Sequence, residues 1–424
     1  MGDRLTTIGY RLSAIGYRLS AIGYRLSAIG YRLSAIGYRL SAIGYRLSAI
    51  GYRLSAISYR LFMNAPLRIL VVDDSALVRR LLRELIESDP DMRVVGEAAD
   101  GREALTRVVE LRPDLVILDV RMPVMDGFET TRQIMAYNPT PILVLTASLN
   151  SYEVDITFQM LGAGALDVME KPRMGDTVAI ENARRTLLRK VRLLSRVKVV
   201  THLRGRRNKG SGSLLPPTEA LERAKQRPPT SLSQPLMPIV VIGASTGGPR
   251  VIRQILAGLP LQFPAAVLVV QHIAQGFSGG MAEWLNASVA LPVTIAKEGD
   301  HFAPGHVLLV PDRHDLLVQP TGAIHLSNQP LLLQRPAIDI AMQSVVAIFG
   351  AVTTGVLLTG MGRDGAVGMR AIRRAGGLTM AQDEASCTIF GMPRAAIELG
   401  AVALVLSPDQ ISVALTQRIK AVHS

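Results

Sequence analysis

From residue 67 onward, short apolar runs alternate with amphipathic stretches, and run after run stops at a polar residue with chemistry to offer. Continuous apolar runs of five or six residues suit strands buried on both faces, and amphipathic stretches between them suit helical crossovers, so the pattern is that of parallel α/β sheets. Open sheets of this kind place their ligand crevices beyond the C-terminal ends of the strands. The expected fold is therefore α/β, with two doubly wound parallel-sheet domains behind a low-complexity N-terminal repeat. The polar residues at the strand tips are the candidates for function.

In the first half, residues 67–72 form a strand ending in Asp73 and Asp74, and residues 114–118 one ending in Asp119. Residues 77–88 and 101–111 have helical spacing, and residues 93–97 form a strand between them. Residues 141–145 run into Thr146, and residues 165–170 into Lys171. Three carboxylates at one sheet edge repel unless a cation joins them, and an all-oxygen, partly hydrated pocket suits Mg²⁺. The competing reading is acidic residues that only cap helices.

The set Asp73, Asp74, Asp119, Thr146 and Lys171 resembles the receiver domain of two-component response regulators. The resemblance implies a flavodoxin-like domain over residues 66–183 with Asp119 as phosphoacceptor and Mg²⁺ held by Asp73, Asp74 and Asp119. Thr146 and Lys171 would engage the phosphoryl oxygens. Met122-Pro123-Val124-Met125-Asp126-Gly127 fits the family's loop after the acceptor. No aromatic precedes Lys171, so the family's aromatic switch has no candidate there.

In the second half, Ile239 to Ile242 are four β-branched residues followed by Gly243-Ala244-Ser245-Thr246-Gly247-Gly248-Pro249. Gly243, Ser245 and Gly247 match G-x-S-x-G, a strand-to-helix elbow that holds a nucleophilic hydroxyl near backbone N–H groups. A dinucleotide loop needs an acidic residue at the end of the next strand, but residues 266–271 end in His272. A purely structural tight turn is the other reading. Helices are expected over 249–259, 276–287 and 339–349, and strands over 306–310 and 355–358. The last of these breaks at Thr359-Gly360-Met361-Gly362-Arg363-Asp364-Gly365. Ser245, His272 and Asp364 make a nucleophile, base and orienter set. Their chain order differs from the Ser, Asp/Glu, His order of α/β-hydrolases, which points to a separate fold family.

Together with Val-Gln-His at 270, Arg-Pro-Ala-Ile-Asp at 335 and Phe-Gly-Met-Pro at 390, these stretches resemble the catalytic domain of the chemotaxis protein-glutamate methylesterases. With the receiver in front, residues 66 to about 420 are similar to that family from end to end. The resemblance implies a Rossmann-like esterase domain over residues 238–424 that hydrolyses glutamate methyl esters, and deamidates glutamines, on chemoreceptor cytoplasmic helices. It further implies a chemotaxis-type histidine kinase as phosphodonor and no cofactor for the esterase step. Backbone N–H groups of Thr246 and Met361 are candidates for the oxyanion hole, and Arg335 and Asp339 match positions near the active site.

Residues 9–57 are seven identical copies of Gly-Tyr-Arg-Leu-Ser-Ala-Ile. One Gly per heptad, about 1 kcal/mol against a helix, and no acid to offset the Arg argue against a coiled coil. We read residues 1–62 as a translated nucleotide repeat ahead of a start at Met63. Nine Arg and one Asp lie there, so eight of the thirteen net positive charges do too, and the remaining charge gives no case for nucleic acid. Residues 197–237, rich in Arg, Lys, Ser and Pro, read as a linker. One cysteine, Cys387, rules out an internal disulfide. No apolar stretch reaches the roughly 18 residues of a membrane span. The expectation is a cytoplasmic protein without membrane insertion or nucleic-acid partner. A DNA-binding response regulator would need a compact helix-turn-helix after the receiver, where the chain instead has a second α/β pattern. A non-catalytic docking domain is the second alternative.

Overall fold

Leu67–Val72 forms β1 because its apolar run is buried on both faces, with Ile69, Leu70, Val71 and Val72 all out of solvent. It is followed by α1 (Ala76–Glu87), β2 (Met92–Ala98), α2 (Gly101–Leu111), β3 (Leu115–Asp119), α3 (Gly127–Tyr137), β4 (Ile142–Thr146), α4 (Ser151–Ala163), β5 (Asp167–Glu170) and α5 (Thr177–Leu194). The strands are parallel in the order β2-β1-β3-β4-β5, the flavodoxin-like arrangement. The chain moves outward from β1 to β2 and returns to β3 on the other side. Val72 pairs with Leu118 across that switch, so Asp73 and Asp119 emerge side by side.

This computed structural model describes residues 65–147, 151–172, 177–199, 237–329 and 335–423. The heptapeptide repeat, and all but the ends of the 197–237 linker, lie outside the described residues.

The second sheet begins with β6 (Ile239–Ala244), every residue of which is buried. Next come α6 (Gly248–Ala257), β7 (Ala266–Gln271), α7 (Ser278–Asn286), β8 (Val293–Ile295) and β9 (Val307–Leu309). A β10 (Asp315–Val318) and β11 (Ile324–Ser327) hairpin, antiparallel and outside the main sheet, precedes α8 (Ile338–Phe349). The chain closes with β12 (Thr353–Leu357), α9 (Ala366–Arg374), β13 (Leu378–Gln382), α10 (Met392–Glu398), β14 (Leu404–Leu406) and α11 (Pro408–His423). The seven main strands run parallel in the order β14-β13-β12-β6-β7-β9-β8. Here the switch lies at β6, which has β7 on one side and β12 on the other. The three strand tips that carry Ser245, His272 and Asp364 are therefore adjacent.

The two sheets share one apolar core, within the compact unit Leu67–Ser424. Its bridge is α4, whose Phe158 is fully buried and stacks on Trp284 of α7 at 5.5 Å between ring centroids, with Phe277 edge-on at 6.4 Å. Val154 presses on Gly280, where a Cβ would lie 2.0 Å from the valine Cγ1. Any larger residue at 280 pushes the helices apart. Burying one such aromatic is worth about 1.5–3 kcal/mol. Among the described residues no helix is long and apolar enough to cross a membrane.

Candidate active site

Ser245 sits at the tip of β6, where the chain turns into α6 through Gly247 at φ +78°. Its backbone N–H donates to the Thr359 carbonyl beyond β12 (3.0 Å), and the His272 N–H donates to the Ala244 carbonyl (2.9 Å). These bonds extend the sheet past its strands and lock the three tips in register. Gly360 passes directly beneath Ser245, since a Cβ there would lie 2.7 Å from Ser245 Cβ.

Asp364 Oδ2 is 2.8 Å from His272 Nε2. The carboxylate also accepts from the backbone N–H groups of Ile338 (2.8 Å), Asp339 (2.9 Å) and Gly365 (3.0 Å), two of them at the N-terminus of α8. Burial disfavours its charge, but the His272 hydrogen bond and charge and these N–H groups outweigh that and hold the carboxyl below its ordinary value. An ionised Asp364 only accepts, so Nε2 carries a proton, and in the neutral ring the lone pair is on Nδ1. Nδ1 is buried and has no hydrogen-bond partner among the described residues. The ring is thus ready to act as a base through Nδ1, the nitrogen turned away from Asp364. The backbone N–H groups of Thr246 and Met361 are likewise not spent on any acceptor among the described residues.

In the receiver half, Asp73, Asp74 and Asp119 can bring one carboxylate oxygen each to within 4.8 Å of one another. Lys171 Nζ lies 2.7 Å from Asp73 and 2.9 Å from Asp119. Burial pushes the Asp119 carboxyl up to about 6, against the pull of Lys171 and with help from Asp73. A buried carboxyl pair still repelling beside its lysine fits a divalent cation, which would relieve what one ammonium does not. Because the folded value lies above the unfolded one, the folded chain binds this proton more tightly, and stability falls as pH rises from about 4 to 6. In metal-free buffer, Asp119→Asn should therefore raise the thermal midpoint at pH 7 and flatten its dependence across that window. An unchanged pH profile would count against the buried, repelled carboxyl.

Thr146 Oγ1 donates to Glu153 Oε2 of α4 at 2.8 Å, and Arg121 Nε meets the same carboxylate at 2.8 Å. Glu153 is 2% exposed and lines the pocket over Asp119 together with Asp74, Arg121 and Lys171.

A cavity of about 530 Å³ lies between the halves, lined by Ser245, Thr246, His272, Arg335 and Met361 from one side and by Asp167, Lys171 and Lys190 from the other. Thr246 Oγ1 donates to Asp167 Oδ2 at 2.7 Å, and Lys190 Nζ pairs with the same oxygen.

The profile described as CheB methylesterase matches residues 240–415, and that of the response regulator receiver domain matches residues 69–180. The chain is 44% identical over 351 residues to protein-glutamate methylesterase/protein-glutamine glutaminase 4 of Geobacter metallireducens, covering 82% of this chain and 98% of that one. The protein-glutamate methylesterase/protein-glutamine glutaminase 2 of Anaeromyxobacter dehalogenans is 44% identical over 354 residues, covering 83% and 97%. The chain belongs to the CheB methylesterase family. The crystal structure of the Thermotoga maritima CheB methylesterase catalytic domain is 36% identical and matches 43% of this chain and 98% of its own, with a TM-score of 0.41.

As a member of the CheB methylesterase family, the chain brings Ser245, His272 and Asp364 together from three strand tips, and Asp73, Asp74, Asp119 and Lys171 from three others. Asp339 is different. Its N–H supports Asp364, but its carboxylate turns away to accept from Gly368 N–H of α9 at 2.7 Å. Arg335 lines the cavity and donates from Nη1 to the carbonyls of Arg313 and Asn328. Three residues are not singled out in the sequence as site residues: Gln271 behind Ser245, Asp167 against Thr246, and Glu153 against Thr146. The signal for Gln271 was its place just before His272; Asp167 and Glu153 carry none, since their partners are 79 and 7 residues away on other elements. Cys387 is no rival nucleophile, because burial first and Asp383 next push its thiol up to about 12.

Proposed function

We propose that this protein hydrolyses glutamate methyl esters on chemoreceptor cytoplasmic helices, and deamidates glutamines there, through an acyl-Ser245 intermediate under the control of phosphorylation at Asp119. The observation that carries the reading is the 2.8 Å bond between Asp364 and His272 Nε2, which leaves Nδ1 as a buried, unpartnered base in the cavity that Ser245 lines. Ser245 Oγ attacks the ester carbonyl while His272 Nδ1 takes its proton, and the N–H groups of Thr246 and Met361 receive the developing oxyanion. Collapse breaks the carbon–oxygen bond to methoxide, which leaves as methanol with the proton from His272. Water then adds to the acyl-serine with His272 again as base, releasing glutamate and restoring Ser245. For glutamine the leaving group is ammonia.

Regulation is supported by the shared cavity. Asp167 and Lys190 of the receiver stand over the Ser245 elbow and tie up the Thr246 hydroxyl, so a substrate helix cannot enter while the halves are docked. Asp73, Asp74 and Asp119 are the residues that would hold Mg²⁺, which when bound supplies positive charge for the phosphoryl group, and a chemotaxis-type histidine kinase would be the donor. A phosphoryl group on Asp119 carries close to two negative charges and lies in the pocket that Glu153 lines. It repels that carboxylate and competes for the Thr146 hydroxyl. Glu153 immediately precedes Val154, which packs on Gly280, so its displacement loosens α4 from α7. Docked and open arrangements then shift in population.

The direct test is methanol release from methylated receptor membranes, with and without a small-molecule phosphodonor. Release that Ser245→Ala retains would overturn the reading. Trp284 provides a separate readout as the only tryptophan. Its stacking on Phe158 predicts that phosphodonor with Mg²⁺ shifts its emission to the red in the parent and not in Asp119→Asn. An emission unchanged while activity rises would mean that activation does not separate α4 from α7.

A further inference from the structure

The geometry points to Gln271 as a positioning residue that aims the oxyanion hole, an inference that rests on the serine-hydrolase reading. Gln271 ends β7, is 2% exposed, and lines the catalytic cavity with Ser245 and His272. Its Nε2 donates to the carbonyl oxygen of Ser245 and to that of His272, each at 2.8 Å. One carboxamide therefore spends both its hydrogens on the backbones of the nucleophile and the base. Reversing the amide would aim its oxygen at two carbonyl oxygens, so this orientation is the one the surroundings permit.

The consequence follows from peptide planarity. The Ser245 carbonyl and the Thr246 N–H belong to a single trans peptide unit, so they point in opposite directions and rotate together. The carbonyl accepts from Gln271 on one side and from the Gly248 N–H at 2.8 Å on the other. With its oxygen held at two points, the peptide cannot swing, and the Thr246 N–H is fixed on the opposite side. The bond to the His272 carbonyl ties the base to the same amide.

The amide is not there for stability alone. Its Oε1 is buried without a hydrogen-bond partner among the described residues. It is wedged against the first turn of α6, where a Cβ at Gly248 would lie 2.2 Å from it. An unpaired buried acceptor costs about 1–3 kcal/mol, and native chains keep few of them. An apolar side chain of similar shape would avoid that cost but would give up both donors.

The test uses the full chain with phosphodonor, a glutamate-methyl-ester peptide as substrate and a fluorophosphonate as a probe of the serine. Loss of one oxyanion donor costs roughly 10²–10³ in kcat, and a donor that is mis-aimed rather than lost should cost less, about 10- to 100-fold. Gln271→Met should lower kcat by that amount, slow fluorophosphonate labelling in proportion, and leave KM and the thermal midpoint close to the parent's. Gln271→Glu, acceptor-only when ionised, should lose more than Gln271→Met at pH 8 and recover part of the difference as pH falls and its carboxyl regains a proton. If either variant keeps the parent's kcat and labelling rate, the proposal is overturned. It is equally overturned if the thermal midpoint falls while the activity per folded molecule does not. Should Gln271→Met fail to fold, the pH recovery of Gln271→Glu decides. A parent chain that neither hydrolyses the peptide nor reacts with the probe would instead defeat the serine-hydrolase reading itself.

Discussion

Ser245→Ala and His272→Ala should each lower kcat for ester hydrolysis by roughly 10⁶-fold, and Asp364→Asn by roughly 10⁴-fold. The ranking follows from the site. Removing Ser245 leaves no hydroxyl to acylate, and removing His272 takes away the imidazole that would accept its proton. Asp364→Asn keeps the shape and can still meet the ring, but an amide that turns its NH₂ toward Nε2 favours the wrong tautomer, with the proton on Nδ1 and no lone pair for Ser245. The lost charge also leaves the imidazolium of the transition state unsupported. The Asp339 and Gly365 N–H groups, which donate to the other oxygen, Oδ1, at 2.9 and 3.0 Å, should keep the amide oxygen in place even though the Ile338 N–H loses its acceptor, so the thermal midpoint should change far less than the rate. Burst kinetics with an activated ester, read beside a melting curve, separates the two. Near-normal turnover in Ser245→Ala would exclude acyl-serine chemistry.

The second large effect concerns the docked receiver. Phosphodonor should accelerate the full chain by on the order of tenfold, the range of coupling free energies of about 1–3 kcal/mol, and should leave Asp119→Asn unchanged. Asp167→Ala removes the acceptor of the Thr246 hydroxyl and the partner of Lys190, yet leaves the Phe158–Trp284 stack intact. It should raise the unphosphorylated rate and reduce the remaining stimulation by the same factor, because both act on one equilibrium. Residues 238–424 alone should run faster than the unphosphorylated parent and ignore phosphodonor. A fragment no faster than that parent would mean that the receiver activates the esterase directly or delivers it to its receptor, rather than covering the cleft.

What the sequence determined by itself was the set of strand tips and the chemistry on them. Parallel strands buried on both faces must be continuously apolar, so the residue where each run stops is visible without a structure. That is why Asp73, Asp119, Ser245 and His272 stand out as they do, while Asp364 lies further along the turn after β12. The sequence was less informative about α4, where Val154, Phe158, Met160 and Leu161 are all buried and no clean polar face marks the helix. That helix packs on its own sheet and on α7 at once, so the usual amphipathic signature is absent.

The tertiary structure alone decided the strand order that returns β12 to the side of β6 opposite β7, and so brings Asp364 to a histidine 92 residues away. It also decided that Asp364 takes Nε2 and leaves Nδ1 without a partner, that Gln271 holds the Ser245 carbonyl, and that Asp167 reaches Thr246. Periodicity and propensity describe a residue's neighbours along the chain. Each of these contacts depends instead on which strand lies beside which, and that is set by how whole sheets and helices bury their faces together.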